Sequence, residues 1–174
     1  KKKLVNRSIL INKEGEIQKI YDKLNLFDVT INKKENHRES HFFTKGKNLV
    51  LTKINGIKVG FSICYDLRFP NLYRKLAKNG AEIILIPSAF TIPTGKAHWE
   101  TLVKARAIEN LVFIIATNMC GTHHSGRQTY GHSLLCNPWG KIINIGKSKS
   151  KVLNTEINLA EISKARSKIP SIYQ

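Results

Sequence analysis

The pair Asn55-Gly56 stands between two apolar runs, Leu49 to Ile54 and Ile57 to Ile63. Both residue types accept positive φ, which a two-residue type I′ turn demands at its two central positions. This stretch is therefore a β-hairpin, and it commits the chain to a sheet. Its second strand ends in an uncommon way. GFSICYDLRFP, Gly60 to Pro70, passes from apolar residues through a cysteine directly into Asp, Arg and Pro. A helix is then expected from Asn71 to Asn79, with Gly80 as its C′ residue. Glu82 to Ile86 reads as a short buried strand stopped by Pro87, and Thr91 to Lys96 as a loop. Ala97 to Asn110 reads as a helix with apolar positions at Leu102, Ala105 and Ile108, and Leu111 to Thr117 as another strand. Strands alternating with helices imply an α/β domain with a mixed sheet.

The flanks add shorter elements. Leu4 to Asn12 and Ile17 to Tyr21 form a hairpin around Lys13-Glu14-Gly15. Asn32 to Lys47 is polar and charged and reads as a long loop, as does Cys120 to Gln128. Tyr130 to Cys136 is a strand, Asn137-Pro138-Trp139-Gly140 a turn, and Lys141 to Ile145 a strand whose expected partner is Lys151 to Ile157. Asn158 is placed as the cap of a last helix running to Lys168. No repeat and no low-complexity linker interrupts the 174 residues, so one domain over 1–174 is expected.

The net charge of +17 has the size of a nucleic-acid footprint. The lysines, however, are scattered through every segment, and no specific nucleic-acid partner is expected. No run approaches the ~20 apolar residues that span a bilayer, and no signal-peptide pattern is present, so no membrane partner is expected. Three widely spaced cysteines, Cys64, Cys120 and Cys136, point to free thiols in a reducing, cytoplasmic setting.

Cys64 has two readings. It closes an apolar strand ahead of a turn and a helix, the context in which a nucleophile is held at a sheet edge, with the Tyr65 N–H near the sulfur to stabilise an oxyanion. Equally, it is a small core residue, as free cysteines mostly are. Cys120, His123, His124, His132 and Cys136 contain a Cys-x-x-His step, but they lack the paired close spacing of a structural zinc site, so no metal is expected. GKIINIGKS, Gly140 to Ser148, misses the phosphate-loop spacing by one residue and has no helix after it.

Four stretches together resemble the nitrilase superfamily of carbon–nitrogen hydrolases: YDKLNLFDV (Tyr21 to Val29), GFSICYDLRFP, PSAFTIPTGKAHWETLVKARAIEN (Pro87 to Asn110) and YGHSLLCNPWG (Tyr130 to Gly140). Within it, MCGTHHSGRQTYGHS is most similar to the branch that includes deaminated glutathione amidase. The resemblance implies an α-β-β-α sandwich, incomplete here at its N-terminal side, that uses a Glu-Lys-Cys set without metal or organic cofactor. It implies hydrolysis of a small-molecule amide by water, with homodimers common in the family. Carried over by motif, Cys64 is the nucleophile, Lys23 the cation of its YxKxxLFD motif and Glu39 the family's second glutamate. In the last match Lys45 stands where a proline is usual before the glycine. Tyr65, Asp66, Arg68, Ser88, Ala89, Phe90, His98, Trp99 and Glu100 fall in the oxyanion or substrate vicinity. Asp66 and Arg68 are read either as an ion pair fixing the turn or as solvated. His98 to Glu100 are expected to start a helix facing the site, Trp99 is read as core or interface, and His132 as a satisfied core histidine.

The family's general base is a glutamate in an N-terminal segment, and no residue here matches it; Glu14 and Glu16 sit in a hairpin turn. The resemblance also stops early at the C-terminus, just after Ile169-Pro170. The expectation is a fragment, or the product of a split or decayed gene, that catalyses poorly by itself.

Overall fold

A computed structural model describes residues 4–33, 35–124 and 126–174. Two antiparallel ribbons open the chain: β1 (Arg7–Ile11) with β2 (Ile17–Asp22), and β3 (Asp28–Asn32) with β4 (Glu35–Arg38). The Asn55-Gly56 hairpin joins β5 (Leu51–Ile54) to β6 (Ile57–Phe61), and its turn residues have φ of 49° and 83°. Helix α1 (Pro70–Lys78) leads to β7 (Ile83–Leu85). The single turn α2 (Ile92–Thr94), a π-helical turn over Gly95–Trp99 and α3 (Glu100–Asn110) lead to β8 (Phe113–Ala116). A third ribbon pairs β9 (Cys120–Thr122) with β10 (Gln128–Tyr130). Strands β11 (Leu134–Cys136) and β12 (Ile142–Ile145) and helix α4 (Ala160–Lys168) follow.

Six strands form one sheet in the order β12-β11-β8-β7-β6-β5. The central three, β6, β7 and β8, are parallel, and the outer pairings are antiparallel. Successive side chains alternate faces. Ile84, Ile114 and Leu134 pack against Tyr73 and Leu76 of α1 and Val103 of α3. On the other face Val59, Ile83, Phe113 and Leu135 meet Ile162 of α4. Full burial of each such side chain contributes about 1.5–3 kcal/mol. A smaller cluster of Tyr21, Phe61 and Ile63, with Leu10 against it, fastens the β1–β2 ribbon to the end of β6. The ribbon's opposite face carries the cross-strand pairs Ile9 with Ile20 and Ile11 with Ile17, all four side chains exposed.

The structure corrects several sequence expectations. Asn32 to Lys47 is not a long loop: strand β4 (Glu35–Arg38), paired with β3, which ends at Asn32, and a 3-10 turn over Glu39–His41 lie within it. Strand β4 reads Glu-Asn-His-Arg, with no apolar residue, so no apolar period announces it. Cys120 to Gln128 likewise contains β9 and the start of β10, and within Thr91 to Lys96 the residues from Ile92 on are helical. Helix α3 buries Val103, Arg106, Ala107 and Asn110, while Ile108 is 49% exposed. Two polar residues on the inner face disguised that stripe. Arg106 donates to the Leu67 carbonyl at 2.9 Å and to Glu109 at 2.8 Å, and its guanidinium lies 5.5 Å from the Tyr73 ring centre. Lys151 to Ile157 is not a strand. Ile157 and Leu159 pack beneath the sheet, which draws the chain away from the edge of β12. The last helix is in place, with Asn158 Oδ1 accepting the Ala160 N–H at 3.1 Å.

Candidate active site

The parallel strands end together, and the ladder continues past them: Ser62 N–H donates to Leu85 O at 3.1 Å, Cys64 N–H to Pro87 O at 2.9 Å and Met119 N–H to Ser88 O at 2.9 Å. In α/β sheets the carboxyl ends of the strands are where ligands bind. Here a cavity of about 960 Å³ opens, lined by the segments that follow β6, β7 and β8 and by Lys23, Glu39 and Arg127. Cys64 has φ of 48° and begins a 3-10 turn over Cys64–Arg68. That left-handed conformation costs a residue with a Cβ about 1–2 kcal/mol, and the fixed Pro87 contact helps hold it.

Asp66, fully buried, ties this elbow to the segment that carries Lys23. Its Oδ2 accepts the Tyr21 hydroxyl at 2.7 Å and the Ile63 N–H at 2.9 Å; its Oδ1 accepts the Asn25 N–H at 2.9 Å and Asn25 Nδ2 at 2.8 Å. Tyr21 and Asn25 flank Lys23 in sequence as Ile63 and Asp66 flank Cys64, so one carboxyl group sets the two in register. Burial first, then the neighbouring Asp66, pushes the Tyr21 hydroxyl far above its usual range and keeps it a donor.

Lys23 is buried, with 3% of its side chain exposed, and its Nζ lies 2.6 Å from Glu39 Oε2. Its N–H donates to Asn6 O and its carbonyl accepts the Gly46 N–H at 2.8 Å. Any Cβ at position 46 would stand 2.1 Å from the Asp22 carbonyl oxygen, so only glycine permits that approach. Burial works against ionisation of Glu39, but donors from Lys23, Asn6 and the Phe27 N–H outweigh it and hold the carboxyl below its ordinary range. For Cys64, burial pushes the thiol up; the Ala89 N–H, Lys23 and Arg127 act against that, and Glu39 adds to it.

Of the residues singled out in the sequence, Lys23, Glu39, Cys64, Tyr65, Arg68, Ser88, Ala89 and Phe90 all line the cavity. Tyr65 stands edge-on to Phe27 and Phe69. The Asp66–Arg68 ion pair does not form. Asp66 is consumed by its four donors, and Arg68 lies 3.1 Å from His98 Nδ1 and near the Tyr65 and Phe90 rings. His98 thus stands behind Arg68. Trp99 is core: it is fully buried against Phe90, and its indole N–H donates to His132 O at 2.8 Å. Glu100 lies away from the cavity, paired with Lys104 at 2.8 Å. His132 stacks on Tyr130, His123 meets the Thr129 hydroxyl and Cys136 is buried in the sheet core. Among the described residues no three His, Cys, Asp or Glu side chains gather as a metal set.

Sequence reasoning missed Asn6, Phe27, Asn118 and Arg127. Asn118 directly follows β8, so the rule that singles out the end of β6 also points to it. Asn6 and Phe27 reach Glu39 only through folding of the first two ribbons.

A thiol held in a left-handed elbow at the carboxyl end of a parallel strand shares its cavity with the ion pair of buried Lys23 and partly buried Glu39. The carbon-nitrogen hydrolase family model matches residues 1–167, and the chain belongs to that family. Deaminated glutathione amidase of Dictyostelium discoideum is 43% identical over 169 residues, covering 96% of this chain and 58% of that protein. Its counterpart in Yersinia enterocolitica is 39% identical over 170 residues, 96% of this chain and 59% of that one. The crystal structure of the Caenorhabditis elegans NitFhit protein superposes with a TM-score of 0.90 at 38% identity, over 97% of this chain and 41% of that chain. Saccharomyces cerevisiae Nit3, a member of branch 10 of the nitrilase superfamily, gives 0.85 at 30% identity over 95% and 58%. The fold is thus of the nitrilase type, and this chain spans about three fifths of the length of the two amidases.

Proposed function

We propose that this chain carries the amide-cleaving site of a deaminated glutathione amidase-like enzyme, with Cys64 as nucleophile. The observation that carries this reading is the shared cavity of Cys64 and the Lys23–Glu39 pair. The Cys64 sulfur bonds to the amide carbonyl carbon as the carbonyl π pair moves to oxygen, and the thiol proton passes to the amide nitrogen. Lys23 and the Tyr65 N–H face the oxygen that gains charge. The C–N bond then breaks, the nitrogen leaves protonated as ammonia or an amine, and water cleaves the thioester to return the thiol and release an acid. Because the Cys64 thiol is pushed up, its proton must be removed as attack proceeds. Arg38, Arg68, Arg127 and Lys151 line the cavity, and Glu39 is the one carboxylate among its described lining residues. That balance favours an amide that itself carries a carboxylate.

The same observation supports a second reading, an impaired amidase. Glu39 already accepts from Lys23, Asn6 and Phe27, which makes it a holder of Lys23 and a poor proton carrier. Turnover then depends on a further carboxylate to carry the proton. The test is hydrolysis of deaminated glutathione and simple ω-amide acids by the parent, Cys64→Ala and Lys23→Met, with intact-mass detection of the acyl-enzyme. Cysteine acylation in the parent alone supports the nucleophile. Acylation without release supports the impaired form, and hydrolysis that survives Cys64→Ala overturns both.

A further inference from the structure

We propose that Asn118 and Arg127 are positioning residues for Cys64, acting through the Ala89–Phe90 peptide; this rests on the reading of Cys64 as the reacting thiol. The segment after β7 is fastened on nearly every side. Ser88 O accepts the Met119 N–H, and Phe90 O accepts the Tyr130 N–H, both at 2.9 Å. The peptide between Ala89 and Phe90 is gripped at both ends: Arg127 Nη2 donates to Ala89 O at 2.8 Å, and Asn118 Oδ1 accepts the Phe90 N–H at 2.9 Å. Cys64 N–H donates to Pro87 O at 2.9 Å, and Cys64, Ser88 and Ala89 line one cavity, so the Ala89 N–H, one peptide earlier, lies on the segment beside the thiol and works against its burial. A hydrogen bond to a thiolate depends steeply on its angle, so fixing the next peptide fixes that donor.

Asn118 suits the task because its own orientation is fixed. It is buried, with 6% exposed. Its Nδ2 donates to Gly131 O at 2.7 Å and its N–H to Ser133 Oγ at 2.9 Å. It therefore joins the ends of β8, β7 and β11 around the thiol. Arg127 reaches the same peptide from the exposed β9–β10 ribbon. It also brings a positive charge, whereas Asn118 brings none. The charged groups that act on the sulfur are Lys23 after β2, Glu39 after β4 and Arg127. Arg68, on the thiol's own turn, lines the cavity but engages His98, and Arg7, His37, Arg38 and Lys151 also line it.

The test is the pH dependence of Cys64 alkylation by iodoacetamide in the full chain, mapped by mass spectrometry, for Asn118→Ala, Asn118→Ser, Arg127→Met and Arg127→Lys, with melting temperature measured in parallel. Loss of the aimed donor disfavours the thiolate. Asn118→Ala and Arg127→Met should therefore move the alkylation midpoint to higher pH and slow labelling at pH 7 by about three- to tenfold, while Arg127→Lys stays near the parent. A shift in Asn118→Ala cannot be a charge effect. Stability loss without a midpoint shift would reduce Asn118 to a structural role and overturn the proposal. If both Asn118 variants fail to fold, Arg127→Met decides it: an unchanged midpoint sinks the idea. If parent Cys64 resists alkylation altogether, the reading of the site fails first, and that outcome is distinct.

Discussion

Replacing Asp66 by Asn changes one atom and should be among the most damaging substitutions available. Four donors converge on the two carboxyl oxygens, and all are held by other structure. An amide keeps one acceptor oxygen and turns an NH2 group on the other pair of donors. If the NH2 replaces Oδ2, the Tyr21 hydroxyl can rotate to accept, but the Ile63 N–H cannot. Losing one hydrogen bond to a charged group costs about 1.5–3 kcal/mol, and stranding a buried N–H adds about 1–3. The expected loss is about 2.5–6 kcal/mol, a large share of the 5–15 kcal/mol typical of a domain. In urea unfolding this appears as a midpoint lower by about 2 M at an m-value near 2 kcal/mol per M. Glu100→Gln is the control. Its exposed pair with Lys104 is worth about 0.3–0.5 kcal/mol. Asp66 also registers Lys23 against Cys64, so alkylation of Cys64 under native conditions should slow as well. An Asp66→Asn chain that unfolds within 1 kcal/mol of the parent, with unchanged thiol reactivity, would show that the four contacts do not hold the elbow.

Thiol mapping of the folded parent should label Cys64 ahead of Cys136, whose thiol burial pushes up to about 11; preferential labelling of Cys136 would refute the site. Glu39 is held below its ordinary range, so the stability it contributes is complete above the unfolded-state value and disappears as pH falls through the lower folded one. Glu39→Gln should accordingly lose stability at pH 7 and show a shallower acid-unfolding profile than the parent below about pH 4; parallel profiles would contradict this. Replacing Ile9, Ile11, Ile17 and Ile20 by Thr should raise the solubility limit without altering Cys64 labelling, since the four form one exposed apolar face. No gain in solubility by light scattering would dismiss that patch as an association surface.

Local rules decided much of this protein. Asn55-Gly56 specified its hairpin because only a few residue types accept two successive positive φ angles. Pro70, Gly80 and Pro87 punctuated α1 and β7 because backbone sterics act at short range. The strand-to-turn ending at Cys64 marked the sheet edge where the cavity lies, and spaced motifs identified the family. Other features needed the whole fold. The buried face of α3 was hidden because Arg106 and Asn110 are polar in isolation and acquire partners such as Leu67 O only when the chain closes. Strand β4 was hidden because Glu-Asn-His-Arg carries no apolar residue to mark a period. Asp66 and Arg68, two residues apart, looked like a pair, yet tertiary contacts send one to Tyr21 and Asn25 and the other to His98. Sequence by itself supplied the reactive groups and the strand ends that display them. Hydrogen bonds spanning between 12 and 45 residues then decided which groups share the cavity, because a carboxylate's partner is set by which donors the packed core leaves within 3 Å.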